Sequence, residues 1–247
     1  MIEYDGAAFS GWQLQVGRRT VEGELRRAIR ELAGEEPRLH AAGRTDAGAH
    51  AEGQVVNFSY SGRLGPERVR AALNARLPPD VVVLEADEVP GGFHARYSAR
   101  WRRYRYRYLD RAARPALDRG RCWHLRERLD VEAMARAASG LLGRHDWTTF
   151  CSASEPPGGR VRTVREARVV REGRFVDLHL CADGFLRGQV RSIAGALAEV
   201  GRGRRPPAWP SEILAARDRR LAPRTAPAAG LTLVAVVYDD HPLRAGG

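Results

Sequence analysis

Apolar residues recur along this chain with two periods, and the switches between them mark out the elements. Val21, Leu25, Ile29 and Leu32 fall on one face of a helix over about 21–32, with Thr20 placed to cap it and Gly34 to follow it. A short strand from Met1 to Asp5-Gly6 precedes that helix. A short strand near Arg38, a glycine-bounded loop from Gly43 to Gly53 and a strand over Gln54–Tyr60 follow it. Pro66 opens a helix to about Arg76, and Val81–Ala86 closes the half as a strand. The order is βαββαβ, the split βαβ arrangement.

The second half repeats the rhythm without repeating the residues. Trp101–Leu109 alternates as a strand, and Asp130 caps a helix running through Leu142. Val161–Val170 and Phe175–Cys181 are strands, and Leu186–Val200 is a helix with Leu186, Val190, Ile193 and Leu197 as its buried stripe. A shorter helix starts after Ser211, and Leu231–Tyr238 is a final strand. The expected fold is α+β: two RRM-like or ferredoxin-like βαββαβ halves, residues 1–99 and 100–247, whose strands form a mostly antiparallel central sheet. Loops are expected at Pro156-Pro157-Gly158-Gly159 and over Arg202–Pro207.

Composition narrows the chemistry. The 247 residues suffice for a core without staples. Lys+Arg is 41 against 30 Asp+Glu, a formal +11, and every one of those cations is arginine. A GC-rich coding bias explains arginine in place of lysine but not the excess of cations, which favours a polyanionic partner. Without lysine there is no Schiff-base nucleophile and no Walker A loop. Cys122, Cys151 and Cys181 are far apart and form no CxxC, so neither a disulfide framework nor a zinc knuckle is indicated. No apolar run reaches membrane-spanning length, and no signal-peptide pattern is visible, which together point to a cytoplasmic protein. The seven histidines show no HExxH spacing, so no metal site is expected, and no GxGxxG follows a strand.

Three segments carry candidate chemistry. In Gly43-Arg44-Thr45-Asp46-Ala47-Gly48 one carboxylate stands between glycines beside an arginine. Such a frame suits an ionised nucleophile, while an Asx-turn is the commoner reason for it. In Arg102–Tyr108, as a strand, Tyr104, Tyr106 and Tyr108 share one face and Trp101, Arg103, Arg105 and Arg107 the other. Aromatic faces stack on bases and arginines hold phosphates, but most of the tyrosines suit a core. In the helix opening at Leu186, Arg187 and Arg191 lie four apart near an N-terminus, where cations oppose the helix dipole. Either an anion meets them there or they form a solvated basic face.

Taken in order, Tyr4-Asp5-Gly6, Gly11-Trp12-Gln13, Gly43-Arg44-Thr45-Asp46-Ala47-Gly48 with His50, Phe93–Ala99, Arg103-Tyr104-Arg105-Tyr106, Val190-Arg191 and Gly230-Leu231 resemble the tRNA pseudouridine synthase A family across almost the whole chain. Leu14, Ala49 and Gln189 depart from its pattern, away from the expected chemistry. The resemblance implies a basic cleft between the halves, a homodimer gripping one tRNA, and uridines 38, 39 and 40 of the anticodon arm as substrates. It makes Asp46 the nucleophile. Tyr104 is the residue stacked on the flipped uracil and placed to act as base. Arg191 is the partner of Asp46, Arg44 an RNA contact, and Leu231 an apolar wall. Isomerisation changes neither redox state nor water content, so no cofactor is expected. The first strand is shorter than the resemblance implies, so either a start upstream of Met1 or a stability below that of an extended chain is expected. Two alternatives stand beside this reading. One is a synthase for other RNA positions. The other is a non-catalytic RRM-like RNA-binding protein, for which a carboxylate facing phosphates has no evident use.

Overall fold

The computed structural model describes residues 1–156 and 158–239, so Pro157 of the expected loop lies outside the described residues, as does His241. The chain is mixed α+β and divides into two compact units, Met1–Arg100 with the residues from Thr232 onward, and Trp101–Leu231.

In the first unit, β1 (Ile2–Tyr4) is followed by a 3-10 turn at Gly6–Ala8 and by α1 (Val21–Ala33). The Thr20 side chain accepts from Gly23 N, and Gly34 ends the helix with φ 75°, a conformation that favours glycine. Next come β2 (His40–Ala41), β3 (His50–Gln54), β4 (Val56–Asn57), α2 (Pro66–Asn74) and β5 (Val81–Val83). The sheet order is β5-β1-β3, so β1 is interior, and β2 pairs β4 as a separate ribbon. Tyr4 faces Val81 on one side and Ala51 on the other. The strand expected over 54–60 therefore begins earlier, at His50, and the loop ends at Ala49. Tertiary pairing decides this: His50 and Ala51 are matched to Thr232 and Leu233 in parallel register. Gly53 lets the neighbouring backbone in, since a Cβ there would lie 2.5 Å from Val234 O.

The second unit opens with β6 (Trp101–Asp110) and β7 (Trp123–Leu125), which pair in parallel. Then follow α3 (Val131–Ser139), β8 (Gly143–Asp146), β9 (Val161–Glu172), β10 (Phe175–Ala182), α4 (Gln189–Gly201) and α5 (Trp209–Ala216). The order β6-β10-β9-β8 is antiparallel throughout. Asp130 caps α3 by accepting from Ala133 N. The core is the tyrosine face of β6 under α4: Tyr106 and Tyr108 are fully buried, and Tyr108 Oη donates to Ala194 O at 2.8 Å. A second buried centre is ionic. The fully buried Asp110 carboxylate accepts from both terminal nitrogens of Arg171, at 2.8 and 2.7 Å, and from Leu129 N.

The last strand, β11 (Leu231–Val237), pairs β3. Residues from Thr232 thus belong to the first unit, although chain order would give them to the second. The helix expected from Leu186 starts instead at Gln189, after Gly188 takes φ 73°. Arg187 therefore lies outside the helix and does not share a face with Arg191. Its backbone N–H donates to Glu155 Oε2, and its carbonyl accepts from Ser152 N.

Candidate active site

The Gly43–Gly48 loop of the first unit is moulded on the segment that follows β1. Trp12 N donates to Thr45 O at 3.0 Å, and Gly48 N donates to Phe9 O at 3.2 Å. Inside the loop Ala49 N donates to Asp46 O at 3.0 Å. Two glycines make the fit possible. A Cβ on Gly6 would stand 1.8 Å from Ala49 O, and one on Gly11 would stand 2.9 Å from Thr45 O and 3.2 Å from the Asp46 carbonyl carbon.

Buried polar groups fix the loop at both ends. Tyr4 Oη and Thr45 Oγ1 share a hydrogen bond of 2.8 Å. Gly6 N donates to His50 Nδ1 at 3.1 Å. At the entrance the Gln54 side-chain amide, fully buried, donates to Gly43 O at 2.6 Å and accepts from Gly43 N at 3.3 Å. The result is a carboxylate on a backbone held from three directions. Asp46 itself is half-exposed and Arg44 is exposed. An Asx-turn occurs in this neighbourhood at Asp5, whose carboxylate accepts from Ala7 N.

The second unit holds the other expected residues. Tyr104 is paired in register with Leu180 and is largely buried, with the Phe185 ring edge-on at 5.2 Å and 85°. Tyr106 Oη donates to Pro227 O at 2.8 Å. Burial pushes the Tyr106 hydroxyl well above the usual phenol range, while the Arg191 charge pulls the other way. Arg191, in the first turn of α4, clasps the strap that runs to β11: its Nε donates to Ala226 O at 2.7 Å, and its own carbonyl accepts from Ala226 N at 3.1 Å. The strap ends at Gly230, where a Cβ would stand 2.8 Å from both the Tyr106 ring and Arg107 O, and then enters Leu231, which is buried. The tyrosine strand, Arg191 and Leu231 are thus gathered around one strap, and Tyr106 and Tyr108 take the core positions. Sequence reasoning missed Thr45's tyrosine partner, Gln54, Phe185 and Ala226. Of these only Tyr4 carried a signal, as part of Tyr4-Asp5-Gly6.

Glu172, Asp177 and His179 have ligand atoms within 4.8 Å of one another, the one such group among the described residues. Asp177 already accepts from Arg107 Nε at 2.8 Å, which neutralises its charge. No helix among the described residues is long and apolar enough to cross a membrane.

Comparison with known proteins gives the class first. The family model described as tRNA pseudouridine synthase matches residues 1–98 and 137–239. The chain is an isomerase of the pseudouridine synthase class. Among its relatives are the proteins named tRNA pseudouridine synthase A of Geobacillus kaustophilus, 45% identical over 98% of this chain and 94% of the relative, and of Moorella thermoacetica, 47% identical over 96% and 97%. That of Caulobacter vibrioides is 45% identical over 97% and 98%. The chain therefore belongs to the tRNA pseudouridine synthase family. The stretch carrying Tyr104 falls between the two matched blocks of the family model, but within the span of the relatives. A chain from the crystal structure of a Cbf5-Nop10-Gar1 complex aligns over 81% of this chain and 54% of its own, with 11% identity and a TM-score of 0.34, a likeness too slight to carry an argument.

Proposed function

We propose that this enzyme converts uridine to pseudouridine at positions 38, 39 and 40 of the tRNA anticodon stem-loop, with Asp46 as nucleophile. The observation that carries this reading is the loop geometry: Gly6, Gly11, Tyr4 and Gln54 fix the backbone on both sides of Asp46. A carboxylate that only capped a turn would need no such mould, whereas a nucleophile must be held to a fraction of an ångström.

In the reaction the N1–C1′ bond breaks, the uracil turns, and C5 bonds to C1′. The proton on C5 leaves and N1 gains one, so nothing is oxidised or hydrolysed. Asp46 acts at C1′ while the base is detached. Tyr104 stacks on the base flipped out of the RNA and takes the C5 proton. Arg191 pairs with Asp46 and keeps it ionised, Arg44 contacts the RNA, and Leu231 walls the base. The substrate is held by two copies of the chain in the cytoplasm, and the +11 charge supports a polyanionic partner.

The test is to incubate the protein with unmodified tRNA transcripts and map pseudouridine by position. Asp46→Asn should form none at 38–40 and still bind the transcript, because affinity comes from phosphate contacts. Parent activity in that variant removes Asp46 from the chemistry.

A further inference from the structure

The second unit carries a cavity of about 520 Å³ that the reaction described above does not use. It lies between β7, the residues just past α4, and the strap held by Arg191. Its wall includes the Trp123 ring, and its cations are Arg126, Arg202 and Arg224 against the single carboxylate of Glu127. Glu127 is engaged by Arg202 at 3.1 Å and by Arg204 at 3.2 Å. Arg202 stands over the Trp123 ring at 5.9 Å, and its Nε–H is buried with no acceptor. A buried donor without a partner is costly. Among the described residues the guanidinium groups of Arg126 and Arg224 have no ion-pair or hydrogen-bond partner.

An aromatic wall asks for a flat π partner, and unpaired guanidinium groups ask for phosphate oxygens. Pockets of roughly 300–1,000 Å³ hold ligands of nucleotide size. We propose that this cavity is a second RNA subsite, which takes one nucleotide of the bound strand other than the one that reacts. Its base lies against Trp123, and its phosphates meet Arg224 and Arg126. This rests on RNA being the substrate. The subsite is mechanically joined to the reaction centre, because Arg224 and Pro227 belong to the strap that Arg191 clasps at Ala226. A nucleotide seated there braces the strap from the opposite side.

The test is equilibrium binding of an unmodified tRNA transcript over a salt series. Arg126→Ala/Arg224→Ala should reduce the steepness of log K against log[salt] by about 2, one for each phosphate that an arginine no longer neutralises. Affinity near 0.1 M salt should drop by about tenfold. The control is Arg136→Ala/Arg144→Ala, which removes the same charge from α3 and β8, where both side chains are exposed. It should lower affinity far less. Trp123→Leu should weaken binding by about tenfold, with Trp123→Phe retaining most of it. Trp123 also packs on Tyr106 and Tyr108, so if the leucine variant fails to fold, the arginine pairs alone decide. Equal losses in pocket and control pairs would reduce the effect to net charge and overturn the subsite. So would a pocket pair that binds RNA normally but turns a dimer into a monomer in sedimentation, which would make a second copy the occupant. Pseudouridine mapping with the parent protein keeps the two readings apart. If no pseudouridine forms, the proposed reaction fails, while the binding comparison still decides the subsite.

Discussion

The hydroxyls of Tyr4 and Thr45 lie 2.8 Å apart, both buried, on segments 41 residues apart in sequence. Thr45 is the residue before the proposed nucleophile, so this bond ties the Gly43–Gly48 loop to the interior strand β1.

Tyr4→Phe removes one partner and leaves the Thr45 hydroxyl without it, at a cost of about 1–3 kcal/mol. If the bond positions Asp46, turnover should fall by about tenfold with tRNA affinity unchanged. Thr45→Val should do the same, and the double variant should lose less than the sum of the two. Single-turnover rates beside binding constants check this. Additive losses, or a loss confined to affinity, would detach the pair from the reaction.

Gly6→Ala is the severest small change in the first unit. Its new methyl would stand 1.8 Å from Ala49 O, a backbone atom that cannot swing aside. The loop must shift, at about 1–3 kcal/mol or more, and the shift falls between Asp46 and β3. Thermal melting should show the lower stability. Activity below the melting point should fall further than the stability loss predicts. Gly91→Ala is the control, since nothing lies within 4 Å of a Cβ there and its φ is not positive.

Tyr104 separates into two roles by substitution. Tyr104→Phe keeps the edge-on contact with Phe185 and any stack on the uracil, but has no hydroxyl to take the C5 proton. It should bind tRNA as the parent does and accumulate unreleased product. Tyr104→Leu should also lose about 1–3 kcal/mol of stacking. Tyr106→Phe loses only the bond to Pro227 O and should show a modest drop in melting temperature without that kinetic signature. A Tyr104→Phe enzyme turning over at the parent rate would leave the tyrosine with stacking alone.

Asp110 gives the fold a pH signature. Its burial raises the carboxyl pKa, but the bidentate Arg171 and the Leu129 N–H outweigh that and hold it below its ordinary value of 3.8. A carboxyl depressed in the folded state stabilises fully above the unfolded value. That contribution is lost as pH falls through the folded one. Stability of the parent should therefore decline below about pH 4. Asp110→Asn, less stable at neutral pH, should show a flatter decline over the same window. Parallel acid profiles by circular dichroism would assign the acid lability elsewhere.

Local signals were legible, and non-local ones were not. Thr20 and Gly34 bounded α1, and Asp130 capped α3, because each cap is a property of one or two side chains. The alternation of β6 told the buried tyrosines from the arginine face. Gly188 misled: a glycine with positive φ at the N-cap of α4 looked like an interior residue and drew Arg187 into the helix. The start of β3 was hidden because residues more than 180 positions away supply its partner. β7 and β8 are three and four residues long and carry no periodicity to read. Of the candidate site, Asp46 and its glycines could be read directly. The partners that hold the loop could not, since hydrogen bonds across 11 and 41 residues leave no local pattern.

The parallel pairing of β11 with β3 has a consequence for the order of assembly. On the ribosome the outer edge of β3 stays open until residues 232–237 have emerged, long after the first hundred residues are available to fold. The strand that leads out of the Gly43–Gly48 loop is therefore closed last. Until then the nascent chain exposes an unpaired edge, a hazard for misassociation.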